Sequence, residues 1–105
     1  MITDFLAISE EFDRYRNILI VMGGNDLMDR ERNPINTPDV VLNRMKQLHA
    51  ALRRLRLRPT VVFCSILKQF PDPHNCVQRM NDKMRLSELP TYNNNSEFNS
   101  PEVLQ

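Results

Sequence analysis

The residues best placed to do chemistry follow an apolar run. Ile18 to Met22 is apolar throughout, and Gly23, Gly24, Asn25 and Asp26 come directly after it. A short apolar run closed by glycines suits a strand buried on both faces, as in parallel sheets. In open α/β sheets functional groups collect beyond the carboxyl ends of such strands. Gly23 lets the backbone turn sharply as it leaves the strand, and Asn25 then presents a side-chain amide over the sheet end. An amide there can donate to negative charge developing on a tetrahedral intermediate without itself moving a proton. The same residues are equally the ordinary composition of a turn, because Gly, Asn and Asp tolerate positive φ.

A second set of chemical groups is Ser65, Asp72 and His74. Ser65 lies late in another apolar run, Thr60 to Leu67, and a hydroxyl, an imidazole and a carboxylate are the parts of an activated nucleophile. Asp72 and His74 flank Pro73, however, and that spacing suits the opening turn of a helix better than an Asp–His hydrogen bond. His49 reads as a half-buried surface histidine. Cys64 reads as a small apolar residue in a strand, and Cys76 as a packing residue near a helix start. Two cysteines make neither a disulfide scaffold nor a paired metal site, so no metal and no cofactor is implied. Gly23-Gly24 lacks the spacing of a nucleotide-binding loop.

These groups need elements to position them. Phe5, Ile8, Phe12 and Tyr15 recur at helical spacing and predict an amphipathic helix over residues 4–16, with Thr3 as its cap. The segment 25–36 is polar and irregular. Thr37-Pro38-Asp39 supplies a capping hydroxyl, a proline for the first turn and an acid for the positive helix end. Val41, Met45, Leu48, Leu52 and Leu55 then make the buried stripe of a long helix that runs to Arg56. Thr60 to Leu67 is β-branched and apolar, the composition of a second strand. Asn75 to Leu89 forms a third helix with Val77, Met80 and Met84 on one side. The order is α-β-α-β-α over residues 1–90, followed by an Asn-rich segment, 91–105, expected to be a disordered tail. Two strands make a thin sheet with both edges open, so the chain is expected to be marginal alone, to self-associate through strand edges, or to need further segments supplied.

The stretch Ile18 to Leu27 resembles the third conserved block of the SGNH (GDSL-type) hydrolases, a buried strand ending in Gly-x-Asn-Asp. Gly23, Gly24, Asn25 and Asp26 carry the resemblance. The irregular loop, the helix opening near Thr37, the strand from Thr60 and a helix bearing an Asn such as Asn81 are similar to the elements that succeed that block in the family. The resemblance implies an incomplete flavodoxin-like three-layer α/β domain with a short parallel sheet. It gives Asn25 the role of side-chain oxyanion donor, and Gly23, Gly24 and Asp26 the supporting roles of shaping and pinning the turn. A complete member would take a small ester substrate. This chain contains no Gly-Asp-Ser for the nucleophile and no Asp-x-x-His for the acid and base. It is therefore expected not to turn over an ester by itself.

Composition narrows the alternatives. The 105 residues carry 14 Lys and Arg against 13 Asp and Glu, and a net charge of +1 argues against a nucleic-acid or membrane partner for the chain as a whole. No apolar run approaches the roughly 20 residues of a membrane span. The acidic amino-terminal stretch does not resemble a signal peptide, and a reduced, cytoplasmic setting is the default expectation. Charge is nonetheless segregated. No acid occurs between Asp39 and Asp72, where Arg44, Lys46, Arg53, Arg54, Arg56, Arg58 and Lys68 fall. Arg53 to Arg58 suit a helix carboxyl end, and no aromatic interleaves with them. The block leaves a second functional class open, a small non-catalytic interaction module that uses this basic helix face or the open sheet edges.

Overall fold

Thr37-Pro38-Asp39 does start the longest element. In the computed structural model, which describes residues 1–68 and 71–93, helix α3 spans Pro38–Arg53 and the Val40 amide donates to Thr37 Oγ1 at 3.3 Å. Its buried residues are Pro38, Val41, Met45, Leu48 and Leu52. The expected stripe is met from Val41 to Leu52, but the helix stops short of Arg56 and leaves Leu55 beyond its end and half-buried. Ahead of it lie α1 (Ile2–Ala7), β1 (Asn17–Ile20) and the single turn α2 (Gly24–Leu27); after it come β2 (Thr60–Cys64), α4 (Cys76–Leu86) and β3 (Thr91–Tyr92).

The three strands form one parallel sheet in the order β1-β2-β3. Asn17 registers with Thr60 and Ile20 with Phe63. The third strand is a correction to the expected pair. Thr91 and Tyr92 align with Phe63 and Cys64, and the Phe63 and Ser65 amides donate to Pro90 O and Tyr92 O at 2.9 and 2.8 Å. The ordered body therefore includes residues 91–93, which the sequence pattern assigned to the tail; residues 94–105 lie outside the described ones. The result is a small α/β fold.

β1 also departs from expectation. Ile20 is buried and Ile18 packs on the core, yet Leu19 is 63% exposed and Val21 68%. The strand alternates instead of being buried on both faces. In β2, Val61 and Phe63 face the core that α3 and α4 cover, while Val62 is only half-buried. The helix predicted over residues 4–16 is likewise shorter. α1 stops at Ile8, whose backbone (φ −113°, ψ 18°) leaves the helical region, and a 3₁₀ turn follows at Ser9–Phe12. Ile8 stays 42% exposed, so the periodic stripe lacks the burial that would hold a long helix together. Thr3 lies inside α1 instead of capping it.

One core joins these elements, with Ile2, Leu27, Val41, Met45, Leu48, Leu52, Val61, Phe63, Val77, Met80 and Met84 almost inaccessible to solvent. Among the described residues no helix is long and apolar enough to cross a membrane.

Candidate functional site at the carboxyl end of the sheet

Gly23 is fixed by two independent constraints. Its φ of 125° is a conformation that L side chains rarely adopt, and a Cβ there would meet Met45 Cε at 2.7 Å and Ile66 Cδ1 at 3.3 Å. The chain thus turns from β1 over the core with no room to spare. One helical turn follows, in which the Asp26 and Leu27 amides both donate to Gly23 O at 3.1 Å. Gly24 and Asn25 form the outer side of that turn, Gly24 half-buried and Asn25 exposed. Among the described residues the Asn25 side chain has no protein hydrogen-bond partner.

Asp26 faces the opposite way. It is 1% exposed, and both carboxylate oxygens are engaged: Oδ2 accepts from the Ile2 amide at 3.3 Å and Oδ1 from Arg44 Nη1 at 3.3 Å. Its carbonyl accepts from Asn36 Nδ2 at 2.7 Å. A single carboxylate therefore ties α1, α3 and the loop after β1 together. A buried acid is tolerable only with such partners. The rest of the loop is self-braced. Asp29 Oδ1 accepts from the Glu31 and Asn33 amides at 2.9 and 2.8 Å, and Ile35 N donates to Leu27 O at 2.8 Å. The bonds to Asp29, the one from the Asn33 amide foremost, hold its carboxyl below the ordinary aspartate range.

The loop after β2 lies beside it. Arg32 Nη1 donates to Pro71 O at 3.2 Å, bridging the two loops. Ile66 is gripped by α4: its amide donates to Asn81 Oδ1 at 2.8 Å, and Asn81 Nδ2 donates to its carbonyl at 2.7 Å. Ser65 is buried, and its Oγ donates to Asn93 Oδ1 at 3.4 Å. Asp72 caps α4, its oxygens accepting from the Val77 and Gln78 amides at 3.0 and 3.2 Å. His74 is exposed with φ 56°, in the left-handed turn that leads into the helix. Asp72 thus serves the α4 amides, and Ser65 points its hydroxyl to Asn93. Among the described residues no hydrogen bond joins Ser65, Asp72 and His74 to one another.

Away from this end, His49 lies 6.4 Å from the Phe63 ring, and burial together with the Arg53 charge pushes its pKa below the ordinary value of 6.5. Cys64 and Cys76 are buried free thiols. Among the described residues no three His, Cys, Asp or Glu side chains gather as a metal site would need.

What the turn after β1 offers chemically, among the described residues, is the free side-chain amide of Asn25. Arg44, Asn36 and Asn81 position that turn and its neighbour, and sequence reasoning assigned none of the three its partner. The charge of Arg44 and the family-like place of Asn81 were visible signals, but the groups they bond are not local in sequence. In comparison with known proteins the chain matches no family model, no curated relative and no solved structure.

Proposed function

We propose that this chain is an SGNH-hydrolase-like element whose turn after β1 recognises an acyl carbonyl through Asn25, and that it does not hydrolyse esters by itself. Supporting the reading is one observation: among the described residues Asn25 is exposed and unpartnered, on a turn in which Gly23 is locked by its φ and close packing and Asp26 by burial. A backbone held this way fixes the position from which the Asn25 amide reaches a carbonyl oxygen. Further segments that would complete a flavodoxin-like three-layer domain would also have to bring the missing nucleophile, acid and base.

The test is a titration of the full chain with a short-chain carboxylate or its methyl ester, followed by the Asn25 side-chain amide resonance. Saturable shifts centred on Asn25 and lost in Asn25→Ala are expected. Shifts that leave Asn25 untouched would remove the reading. The companion assay is hydrolysis of a short-chain activated ester, where no turnover above buffer is expected. A robust rate would reject the second half of the proposal and send the search for a nucleophile back to Ser65.

A second reading, a non-catalytic interaction module, draws on the uncovered side of β1. Leu19 and Val21 are exposed there, and among the described residues β1 pairs with β2 alone. Concentration-dependent sedimentation of the full chain that disappears in Leu19→Lys is its expected signature; a monomer at all concentrations rejects self-association through this strand.

A further inference from the structure

Two arginine-bearing segments far apart in the chain meet at the amino end of the sheet. Thr60 N donates to Arg16 O at 2.8 Å, and Asn17 registers with Thr60. Arg14-Tyr15-Arg16 therefore enters β1 beside Arg56-Leu57-Arg58-Pro59 entering β2, on strands about 4.8 Å apart. α3 returns to the same end and adds Arg53 and Arg54. Arg53 is engaged with the fold, donating through Nη1 to Arg58 O and Pro59 O at 3.3 and 3.0 Å. Arg14, Arg16, Arg54, Arg56 and Arg58 are all exposed, and among the described residues none of them forms an ion pair. Glu10, Glu11 and Asp13 precede the cluster and are not ion-paired with it, so positive charge remains in excess there.

Two further observations sharpen the surface. Arg58 has φ 45°, a left-handed backbone that Gly or Asn adopts at lower cost. A large cation at a strained position points to a use for its side chain. Tyr15 is 50% exposed between two arginines, with the Arg14 guanidinium 5.9 Å from its ring centroid. The Arg53–Arg58 block taken alone lacks an aromatic; the fold supplies one from the other segment.

From this juxtaposition we propose that the amino end of the sheet binds single-stranded nucleic acid, with Arg14, Arg16, Arg54, Arg56 and Arg58 on phosphates and Tyr15 stacked on a base. Guanidinium forks match phosphate oxygens two at a time. An acidic peptide would satisfy the charges equally but leave the tyrosine face without a purpose, whereas stacking platforms among cations are how single strands are held. The near-neutral net charge of the whole chain does not oppose this, because the acids lie largely elsewhere.

The experiment is fluorescence anisotropy of a labelled mixed-sequence DNA strand of about 20 nucleotides with the full chain, starting near 50 mM salt. With five phosphates neutralised on a single strand, tripling the salt is expected to weaken binding by about 50-fold. Arg14→Gln with Arg16→Gln, and separately Arg54→Gln with Arg56→Gln, should each lower the logarithmic salt slope by about 1.4. Tyr15→Ala should weaken binding roughly ten-fold. Lys46→Gln, on a distant turn of α3, should change nothing. The proposal is overturned by absent binding at the lowest salt, by an equal loss in Lys46→Gln, or by unaltered binding in both arginine pairs. It is also overturned if poly-glutamate of equal length displaces the strand as well as unlabelled DNA does and Tyr15→Ala is neutral, which would assign the surface to an acidic protein segment.

Discussion

The two ends of the sheet treat their polar groups in opposite ways. At the carboxyl end many of the charged and amide side chains are used by the fold: Asp26 on Ile2 and Arg44, Asp29 on its own loop, Asp72 on α4, Asn81 on Ile66. Among the described residues Asn25, Arg30, Glu31 and Asn75 are the exceptions in these loops. At the amino end, among the described residues, five arginines stand in solvent while Arg53 is hydrogen-bonded into the structure. A polar side chain held by the protein fixes geometry, while one left free is available to something else. The first end is therefore a braced scaffold on which Asn25 stands at the turn after β1, and the second a surface of many interchangeable cations.

Substitutions can break that contrast, and the largest effect is expected at Asp26. Asp26→Ala leaves Arg44 and the Ile2 amide without their partner in a buried setting. A loss of about 3–5 kcal/mol is expected, the usual cost of removing one member of a buried pair. Arg44 retains some solvent contact, which favours the lower part of that range. Chemical denaturation of the two proteins would show it, and a difference below about 1 kcal/mol would mean that the carboxyl end is far less braced than described. Asn81→Ala comes next. It removes the Asn81 hydrogen bonds to the amide and the carbonyl of Ile66, and roughly 2–3 kcal/mol is expected if water replaces part of the pairing. Loss of hydrogen-exchange protection confined to Ile66 and its neighbours would identify the cause.

At the amino end the expected sign reverses. Arg58→Gly relieves a left-handed residue and should stabilise the protein by about 1 kcal/mol, read as a raised denaturation midpoint. A destabilised variant would show that the arginine stem packs in a way that outweighs the strain. The smallest effect concerns pH. The folded-state pKa of His49 is depressed, first by burial and then by Arg53, so the folded protein favours the neutral ring. Its contribution is present above the ordinary value of 6.5 and is lost as pH falls from there through the folded-state pKa. The midpoint should decline over that window, and His49→Gln should flatten the decline. Asp29, whose pKa is also lowered, acts in the same direction but below its ordinary value of 3.8.

Legibility in the sequence followed the range of the interactions. α3 was readable to within a few residues because its cap, its proline and its stripe are all local. The turn at Gly23 was readable for the same reason, from its local Gly-Gly-Asn-Asp composition, although its close packing on Met45 and Ile66 was not. β3 was not, because two residues from an Asn-rich stretch become a strand only when Phe63 and Ser65 offer amides to them. α1 was overextended because periodicity at Ile8 and Phe12 reports spacing, not whether a partner covers the stripe. At the site, the identity of Asn25 and Asp26 was plain from the chain, but Asp26 choosing Arg44 and Ile2 was not. The arginines were visible as a block, while their meeting with Arg14-Tyr15-Arg16 depends on the parallel register of β1 and β2.

Short strands carry little information about alignment. β1 and β2 share four paired positions and β2 and β3 only two, and a slip by one residue would turn every side chain to the opposite face. Asn81 works against such a slip from outside the ladder. Its amide reads both polar atoms of Ile66 at once, as a neighbouring strand would, but from a helix. A shifted β2 would present a different residue at that spot and turn Ile66 away from Gly23. The side chain acts as a key cut for one alignment, which lets three very short strands settle on a single register.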